Sequence, residues 1–228
     1  MKQSARPWMV YGANGYTGGL LVAEAVRRGE APIVAGRNAA AVARVAAEHG
    51  LPHRVFALDD PAVTRAALAD VALVLNAAGP MVATAGPLAG ACVAAGAHYV
   101  DVTAEVDALH QIEALDGAAR DAGVTLLPAA GYDVVPSDCL AAHVVAGVPE
   151  VRRLEIGIWS LPQPSRGTLR TVADMLRRGG WRRRGGRLER YRVGRGVRRL
   201  TFPPGRRWAL PVPWGDLVMA HRSTGVPD

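Results

Sequence analysis

The sequence is nearly devoid of lysine and poor in cysteine. Lys2 is the single lysine, although lysine and arginine together number 27, and Cys92 and Cys139 are the two cysteines. Schiff-base and pyridoxal chemistry need a buried lysine and are therefore not expected. The Tyr-x-x-x-Lys pair of short-chain reductases is missing for the same reason. Two cysteines without metal-ligand spacing predict reduced thiols rather than a disulfide framework.

Other catalytic and metal-binding signatures are missing too. The sequence has no G-x-x-x-x-G-K-[ST] loop and no G-x-S-x-G elbow, so neither a P-loop nucleotidase nor a serine hydrolase is expected. His98, His110 and His143 lack an H-x-x-x-H or C-x-x-C companion. We therefore predict no metal site and interpret these histidines as surface or core residues.

Long uninterrupted hydrophobic segments are also missing. The most apolar stretch, residues 71–102, is broken by asparagine, glycine and proline, which predicts strand, loop and helix rather than a membrane span. The N-terminal residues show no apolar segment followed by a small-residue cleavage site, so no signal peptide is expected. These features predict a cytoplasmic protein.

Between residue 7 and about residue 130 the sequence alternates apolar runs with helical stretches. The apolar runs predict six strands, at residues 7–12, 32–36, 54–58, 71–76, 98–102 and 124–128. The intervening helices include residues 16–28, 61–69, 87–95 and 106–122. Strands rich in Val, Ile and Leu on both faces predict a parallel sheet covered on both sides, which is a Rossmann-like doubly wound α/β fold.

The pattern changes between about residue 128 and residue 150. Residues 151–159 alternate between apolar and polar positions, which predicts an antiparallel strand, and residues 168–178 are predicted to be helical. Stretches rich in glycine, arginine and tryptophan follow them. We therefore predict a domain boundary in this region.

Three evenly spaced glycines follow the first predicted strand, in a G-x-x-G-x-x-G pattern that opens a helix. In such a turn, glycine permits the tight bend, lets the backbone approach a pyrophosphate and lets the helix pack closely on the sheet. The N-terminus of the helix then attracts the phosphates. The residues predicted to hold a dinucleotide here are Gly12, Asn14, Gly15, Tyr16, Thr17 and Gly18.

The end of the second predicted strand favours NADP over NAD. NAD sites usually have an acidic residue at this position, whereas the sequence has Arg37 followed by Asn38. An arginine pairs with a 2′-phosphate that a carboxylate would repel. Both residues are therefore predicted to bind the cofactor, and Asp59, after the third strand, is predicted to contact its adenine side.

Five segments occur in order along the chain: GANGYTGG, AGRN, LNAAGP, GAHYVDVTAE and GYDVVPSDCLA. Together they resemble the saccharopine dehydrogenase-like oxidoreductases, a family that includes the bacterial trans-acting enoyl reductases. The resemblance covers residues 7–145 well and continues more loosely through residues 213–217 and 223–228.

The resemblance implies an N-terminal NAD(P)-binding Rossmann domain, which we place at residues 1–135. It also implies a second α+β domain for substrate and dimer contacts, which we place at residues 136–228 and interpret as partial. Members of the family continue well past the point that corresponds to Asp228, so the sequence is expected to be a fragment or a shortened protein.

Candidate site residues follow the later strands, because ligands of open parallel sheets bind outside the carboxyl ends of the strands. The residues expected to lie against the ribose and nicotinamide of the cofactor are Asn76, Ala77, Gly79 and Pro80. The candidate catalytic residues are Tyr132, Asp133 and Asp101, which follow the fifth and sixth strands. Ser137 and Asp138 are interpreted either as a helix cap or as contacts to nicotinamide or substrate.

Positive charge is concentrated in residues 177–207. This segment holds 13 arginines and one acidic residue, Glu189, whereas the rest of the chain has a net charge of −5. Three interpretations stay open: a solvated surface in a protein that uses arginine in place of lysine, a site for an anionic substrate or carrier, and, least favoured, a nucleic-acid surface with Trp181 and Tyr191 stacking on bases.

The sequence therefore predicts an NADP-dependent oxidoreductase of the saccharopine dehydrogenase-like type. Hydride transfer would run to or from a small-molecule, acyl or lipid-linked substrate, with enoyl reduction as one candidate reaction and a homodimer as the expected assembly. The alternative is a non-catalytic NADP-binding sensor or interaction protein.

Overall fold

The computed structural model describes residues 6–159, 179–192 and 195–228. As far as it is described, the chain divides into two compact units. The first comprises the chain up to Thr103 and Asp107–Gly131, and the second comprises Ala104–Val106 and Tyr132–Asp228. The glycine turn and all six predicted strands belong to the first unit.

A six-stranded parallel sheet forms the centre of the first unit. Its strands are β1 (Trp8–Tyr11), β2 (Ile33–Gly36), β3 (His53–Val55), β4 (Leu73–Asn76), β5 (His98–Asp101) and β6 (Leu126–Leu127). They lie in the order β3-β2-β1-β4-β5-β6, and all neighbours are parallel. The strand order reverses between β1 and β4, so a ligand crevice is expected outside the carboxyl ends of these two strands.

Apolar residues of the sheet pack into two cores, one on each face. The helices of this unit are α1 (Tyr16–Arg27), α2 (Ala39–His49), α3 (Pro61–Ala67), α4 (Met81–Ala95), α5 (Val106–Glu113) and α6 (Asp116–Asp121). Met9 of β1 is buried in the same core as Leu88 of α4, whereas its neighbour Val10 is buried with Val22 of α1 and Val42 of α2. The predicted Rossmann-like doubly wound fold is therefore confirmed.

The second unit contains two helices and two hairpins in its described part. Helix α7 spans Val135–Ala146 and α8 spans Asp216–Thr224. Antiparallel pairs are formed by β7 (Gly180–Arg184) with β8 (Arg187–Tyr191) and by β9 (Arg198–Phe202) with β10 (Gly205–Ala209). Two serine–aspartate hydrogen bonds link the helices, from Ser137 to Asp216 at 2.5 Å and from Ser223 to Asp138 at 2.8 Å.

Two predictions about helices are wrong. The helix expected at residues 87–95 begins at Met81, because Pro80 adopts an extended N-cap conformation, so Pro87 lies inside α4 rather than in its first turn. The helix expected at residues 106–122 is divided into α5 and α6, and Leu115 at the break packs against the core.

The strand expected at residues 151–159 is also absent. Strand formation needs a paired neighbour, and in this segment the Leu154 N–H donates instead to the carbonyl of Asp228. The helix predicted at residues 168–178 lies outside the described residues. Over the part of the chain that the structure describes, no helix has the length and apolar character needed to span a bilayer.

The two cysteines are expected to differ in reactivity. Cys92 is fully buried, and burial raises the pKa of its thiol to about 12, whereas Cys139 is exposed. Because the thiolate is the reactive form, a maleimide should modify one thiol in the native protein and two after unfolding. Mass mapping should place the native label on Cys139, and Cys139→Ser should abolish it. Modification of Cys92 at a comparable rate in the native protein would contradict its burial.

Candidate dinucleotide-binding site

The turn after β1 is held against β2 by backbone hydrogen bonds. The N–H groups of Gly12 and Ala13 both donate to the carbonyl oxygen of Ala35, at 2.8 and 3.2 Å. Gly12 has a φ of 85°, a left-handed conformation that favours glycine. The Gly15 N–H donates to the Gly12 carbonyl at 3.0 Å. The turn therefore closes immediately before α1 begins.

Two glycines permit contacts that a side chain would block. A Cβ on Gly12 would lie 2.7 Å from the backbone nitrogen of Ala78, in the loop after β4. A Cβ on Gly18 would lie 2.1 Å from the carbonyl oxygen of Gly12. Gly12 therefore brings the β4 loop against the turn, and Gly18 brings α1 against it.

The first turn of α1 has no side-chain cap. Its N-cap residue is Gly15, and the neighbouring Tyr16 and Thr17 are exposed. The first N–H groups of a helix have no intrahelical acceptor and carry partial positive charge. A diphosphate satisfies these donors and is attracted by that charge. The cradle that a Cβ would fill and the uncapped helix N-terminus together fit a dinucleotide.

Arg37 directly follows β2, Asp59 lies four residues after β3, and both are exposed. Tyr11 at the end of β1 donates its hydroxyl to the carbonyl of Phe56 at 3.1 Å. Burial raises the pKa of the Tyr11 phenol, the charge of Arg37 lowers it and the charge of Asp59 raises it. Both charged side chains therefore lie within electrostatic reach of the Tyr11 hydroxyl.

The side chains of Asn38 and Asn14 make different contacts. The side-chain oxygen of Asn38 accepts a hydrogen bond from the Ala41 N–H at 3.0 Å and caps α2, a role that the sequence analysis did not assign to it. Asn14 lies over the end of β2, because a Cβ on Gly36 would be 3.1 Å from its side-chain oxygen.

The loop after β4 is organised by a buried asparagine. Asn76 is fully buried, its Nδ2 donates to the Tyr99 hydroxyl at 3.0 Å, and its Oδ1 accepts from the Ala78 N–H at 3.0 Å. The Thr84 hydroxyl donates to the Ala78 carbonyl at 2.6 Å. This geometry argues against direct contact between the Asn76 side chain and a cofactor. The predicted contacts that reach the surface are Ala77, Gly79 and Pro80.

Asp101 is also fully buried, although it was predicted to be a catalytic residue. Its Oδ2 accepts from the Tyr99 hydroxyl at 2.8 Å, and its Oδ1 accepts from the N–H groups of Thr103 at 2.9 Å and Ala129 at 2.8 Å. Burial raises the pKa of Asp101, and these hydrogen bonds oppose that shift. Both oxygens are occupied, which argues against contact with a substrate.

The other two candidate catalytic residues belong to the second unit. Tyr132 is 74% exposed, and Asp133 is exposed as well, although partial desolvation raises the pKa of its carboxyl group. Ser137 and Asp138 do not cap α7, whose N-cap Val134 receives no side-chain hydrogen bond. The helix-cap interpretation of these two residues is therefore wrong, since they bond to α8 instead.

Sequence reasoning missed Tyr99 and Thr84, which complete the buried hydrogen-bond network. A signal for Tyr99 was present, because it lies two residues before Asp101 in one strand and so points to the same face of the sheet. Asn76 lies beside Asp101 in the register of β4 and β5. Neither relation was used, because strand register was not predicted.

The arginine-rich hairpins of the second unit use part of their charge internally. Arg182 pairs with Glu189 at 2.7 Å, and Arg183 donates to the carbonyl of Leu217 at 2.9 Å. Arg190 stacks on Trp181, with its guanidinium carbon 3.9 Å from the ring centroid. Such stacking stabilises a cation over the negative face of an aromatic ring. These three arginines therefore have partners within the second unit.

A parallel sheet with this strand order and a glycine turn at its switch point define a dinucleotide-binding domain of the Rossmann type. Residues 8–127 match the family model described as the saccharopine dehydrogenase NADP binding domain. The match covers more than half of the chain, so the chain belongs to this family. The family resemblance is thereby confirmed, and NADP is the cofactor of the domain.

Curated relatives match the same part of the chain. A probable mitochondrial saccharopine dehydrogenase-like oxidoreductase of Arabidopsis thaliana is 28% identical over 160 residues, which cover 60% of this chain and 35% of that protein. The trans-acting enoyl reductase of Mycobacterium tuberculosis is 29% identical over 138 residues, which cover 57% of this chain and 33% of the enzyme. The chain therefore spans about a third of the length of these relatives.

A solved structure shares the fold over a longer stretch. Saccharopine dehydrogenase (L-Glu forming) of Saccharomyces cerevisiae superimposes with a TM-score of 0.63 at 14% identity. The superposition covers 91% of this chain and 50% of the yeast enzyme. At this identity the similarity establishes the fold alone.

Alanine substitutions at two adjacent glycines of α1 should have opposite effects. In Gly18→Ala the new methyl group would lie 2.1 Å from the Gly12 carbonyl oxygen, whereas in Gly19→Ala it would meet its nearest neighbour, the Ala13 carbonyl oxygen, at 3.9 Å. We expect Gly18→Ala to lower the free energy of unfolding by about 1–3 kcal/mol through overpacking. Gly19→Ala should raise it by up to about 1 kcal/mol through helix propensity.

Urea denaturation followed by circular dichroism measures both effects. Equal stability of the two variants would contradict the close packing of α1 against the turn.

Proposed function

We propose that the first unit binds NADP across the carboxyl ends of β1 and β4, and that the protein acts in hydride transfer as an oxidoreductase of the saccharopine dehydrogenase-like type. The observation that carries the proposal is the Gly12 turn, where a side-chain-free backbone packs against Ala78 directly before an uncapped helix. Membership of an NADP-binding family supports the same cofactor.

Each part of the cofactor has candidate partners. The diphosphate would be bound by backbone N–H groups between Gly12 and Gly18, with Asn14, Tyr16 and Thr17 beside it. Arg37 would pair with the 2′-phosphate. Asn38, after β2, and Asp59, after β3, would lie beside the adenine part of the cofactor. The surface of the β4 loop at Ala77, Gly79 and Pro80 would support the ribose and nicotinamide.

When bound, NADP supplies the hydride chemistry, and the protein orients it and excludes water. We assign the transfer or positioning of a proton to Tyr132 or Asp133, because both are exposed and carry an acidic group. The substrate would be a small molecule or an acyl or lipid-linked compound, and enoyl reduction is supported by the names of the mycobacterial relatives. Homodimer contacts are proposed for the second unit.

Catalysis and simple cofactor sensing can be separated. Stereospecific hydride exchange between deuterated NADPH and candidate enones, imines or keto acids requires an enzyme. Saturable NADPH binding without exchange for any of these substrate classes would instead support the sensor alternative.

Arg37→Glu should change the preference between the two nicotinamide cofactors. Titration of the purified protein with NADPH and NADH, followed by cofactor fluorescence, measures both dissociation constants. We expect about a tenfold or larger loss of NADPH affinity, because a charge-assisted pair worth about 1.5–3 kcal/mol becomes a repulsion. NADH, which lacks the 2′-phosphate, should lose much less.

Arg44→Glu is the matched control. Arg44 is an exposed arginine on α2, so its substitution changes the charge by the same amount but away from the strand ends. It should leave the ratio of the two dissociation constants near that of the unmodified protein. Equal losses for NADPH and NADH in Arg37→Glu would remove Arg37 from the 2′-phosphate site.

A further inference from the structure

A continuous chain of buried hydrogen bonds crosses the carboxyl ends of β4, β5 and β6. It runs from the Ala78 N–H through the side chains of Asn76, Tyr99 and Asp101. At its far end the Asp101 carboxylate accepts from the backbone N–H groups of Thr103 and Ala129. Backbone N–H groups, which can only donate, therefore stand at both ends of the chain.

The donors at the Ala78 end fix the direction of each bond. Because the Ala78 N–H must donate, the atom of Asn76 that faces it is the carbonyl oxygen Oδ1, at 3.0 Å. The Asn76 amide group Nδ2 then faces the Tyr99 hydroxyl, which must accept from it. The single hydroxyl hydrogen of Tyr99 is left to donate onward, to Asp101 Oδ2 at 2.8 Å.

A chain with donors at both ends needs one member that accepts on both sides. Asparagine and tyrosine each pass a hydrogen bond onward, so neither can fill this role. The Asp101 carboxylate does, because Oδ2 accepts from Tyr99 and Oδ1 accepts from two backbone N–H groups. By taking the Tyr99 hydrogen, the carboxylate leaves the Tyr99 oxygen free to accept from Asn76 and so keeps Asn76 Oδ1 turned towards the Ala78 N–H.

The orientation of Asn76 reaches the nucleotide turn through Ala78. The Ala78 N–H is bound by Asn76 and its carbonyl by Thr84, at 3.0 and 2.6 Å. The same Ala78 backbone fills the space where a Gly12 Cβ would lie, 2.7 Å from its nitrogen. At the other end, Asp101 holds Ala129, which has an unfavourable φ of 59° for a residue with a side chain.

We propose that Asp101 is a positioning residue for NADP, whose carboxylate sets, through Tyr99 and Asn76, the place of the Ala78 backbone against the Gly12 turn. This inference rests on the proposed binding of the cofactor at that turn. Asp101 is then no longer a candidate proton donor, and its role is to position the backbone that lines the cofactor site.

Exchanging the amide and the carboxylate tests the direction of the chain. In Asp101→Asn no member accepts on both sides. The new amide group at position 101 would donate to the Tyr99 oxygen, and the Tyr99 hydroxyl would then donate to Asn76. The Asn76 oxygen would face Tyr99, so its amide group would face the Ala78 N–H, donor against donor. In Asn76→Asp two carboxylates compete for one hydroxyl hydrogen. In the double variant the carboxylate at position 76 accepts from Ala78 and Tyr99, and the amide at position 101 donates to Tyr99. Every member between the Ala78 and Ala129 N–H groups is then satisfied again, with the direction reversed. The one bond lost is the 3.3 Å bond from Asn76 Nδ2 to the Thr84 hydroxyl.

Two measurements report the effect on folded protein: the NADPH dissociation constant by fluorescence titration, and the exchange rate of the Ala78 amide hydrogen by NMR. Each single variant should weaken NADPH binding about tenfold, because it leaves a buried polar group unpaired. Each should also accelerate exchange at Ala78 by a similar factor. The double variant should return both values to within about threefold of the unmodified protein, a strong departure from additivity.

Asp121→Asn is the matched control, because Asp121 is an exposed aspartate of α6 in the same unit. It should change neither measurement. Tyr99→Phe provides an independent variant that interrupts the chain with little change of volume, and it should behave like the single exchanges. If the single variants fail to fold, recovery of a folded, NADPH-binding double variant supports the proposal.

Additive losses in the double variant would overturn the proposal, since they are what a packing role alone predicts. Unchanged NADPH affinity and unchanged Ala78 exchange in Tyr99→Phe would overturn it as well. If the unmodified protein does not bind NADPH, the proposed function fails, and with it the role in cofactor positioning. Exchange at Ala78 then still reports whether Asp101 orders the β4 loop.

Discussion

The close approach of two backbone segments, Gly12 and Ala78, is the constraint on which the carboxyl edge of the sheet depends. It requires a residue without a Cβ at position 12, because any side chain would overlap the Ala78 nitrogen. The same residue carries a left-handed φ, so glycine is favoured there on two independent grounds. With the backbone this close, N–H groups rather than side chains line the place where a diphosphate would bind.

Burial of polar groups on the opposite side of that contact follows from the same geometry. The β4 loop can approach Gly12 only if its own backbone polar groups are satisfied, since an unpaired buried donor costs about 1–3 kcal/mol. Asn76 and Thr84 satisfy the N–H and carbonyl of Ala78. The buried amide group of Asn76 also needs an acceptor, which is the Tyr99 hydroxyl, and that hydroxyl in turn donates to Asp101. The close contact between Gly12 and Ala78 therefore depends on hydrogen bonds that involve residues of β4 and β5 as well as the turn after β1.

The sequence predicted the fold well, because strands buried on both faces and helix-ending glycines are local signals. The glycine turn and Arg37 were likewise visible as a motif beside a strand. The roles of Asn76 and Asp101 were not, because they depend on burial and on strand register, which place residues 25 positions apart side by side. At residues 151–159 a strand was predicted that the structure does not contain. An alternating pattern indicates a strand, but it does not show whether a neighbouring strand is there to pair with it.

The distribution of charge shows why local groups must carry the recognition of an anionic cofactor. Outside residues 177–207 the chain has a net charge of −5, so the overall field of that part does not attract a phosphate. The N-terminus of α1 and Arg37 would act on a bound cofactor at short range, where partial charges and hydrogen bonds outweigh a screened net charge. The arginines of the hairpins are partly committed to Glu189, Leu217 and Trp181. Binding of NADP would therefore depend on a few donors near the strand ends, and on the buried network that holds the Ala78 backbone beside the Gly12 turn.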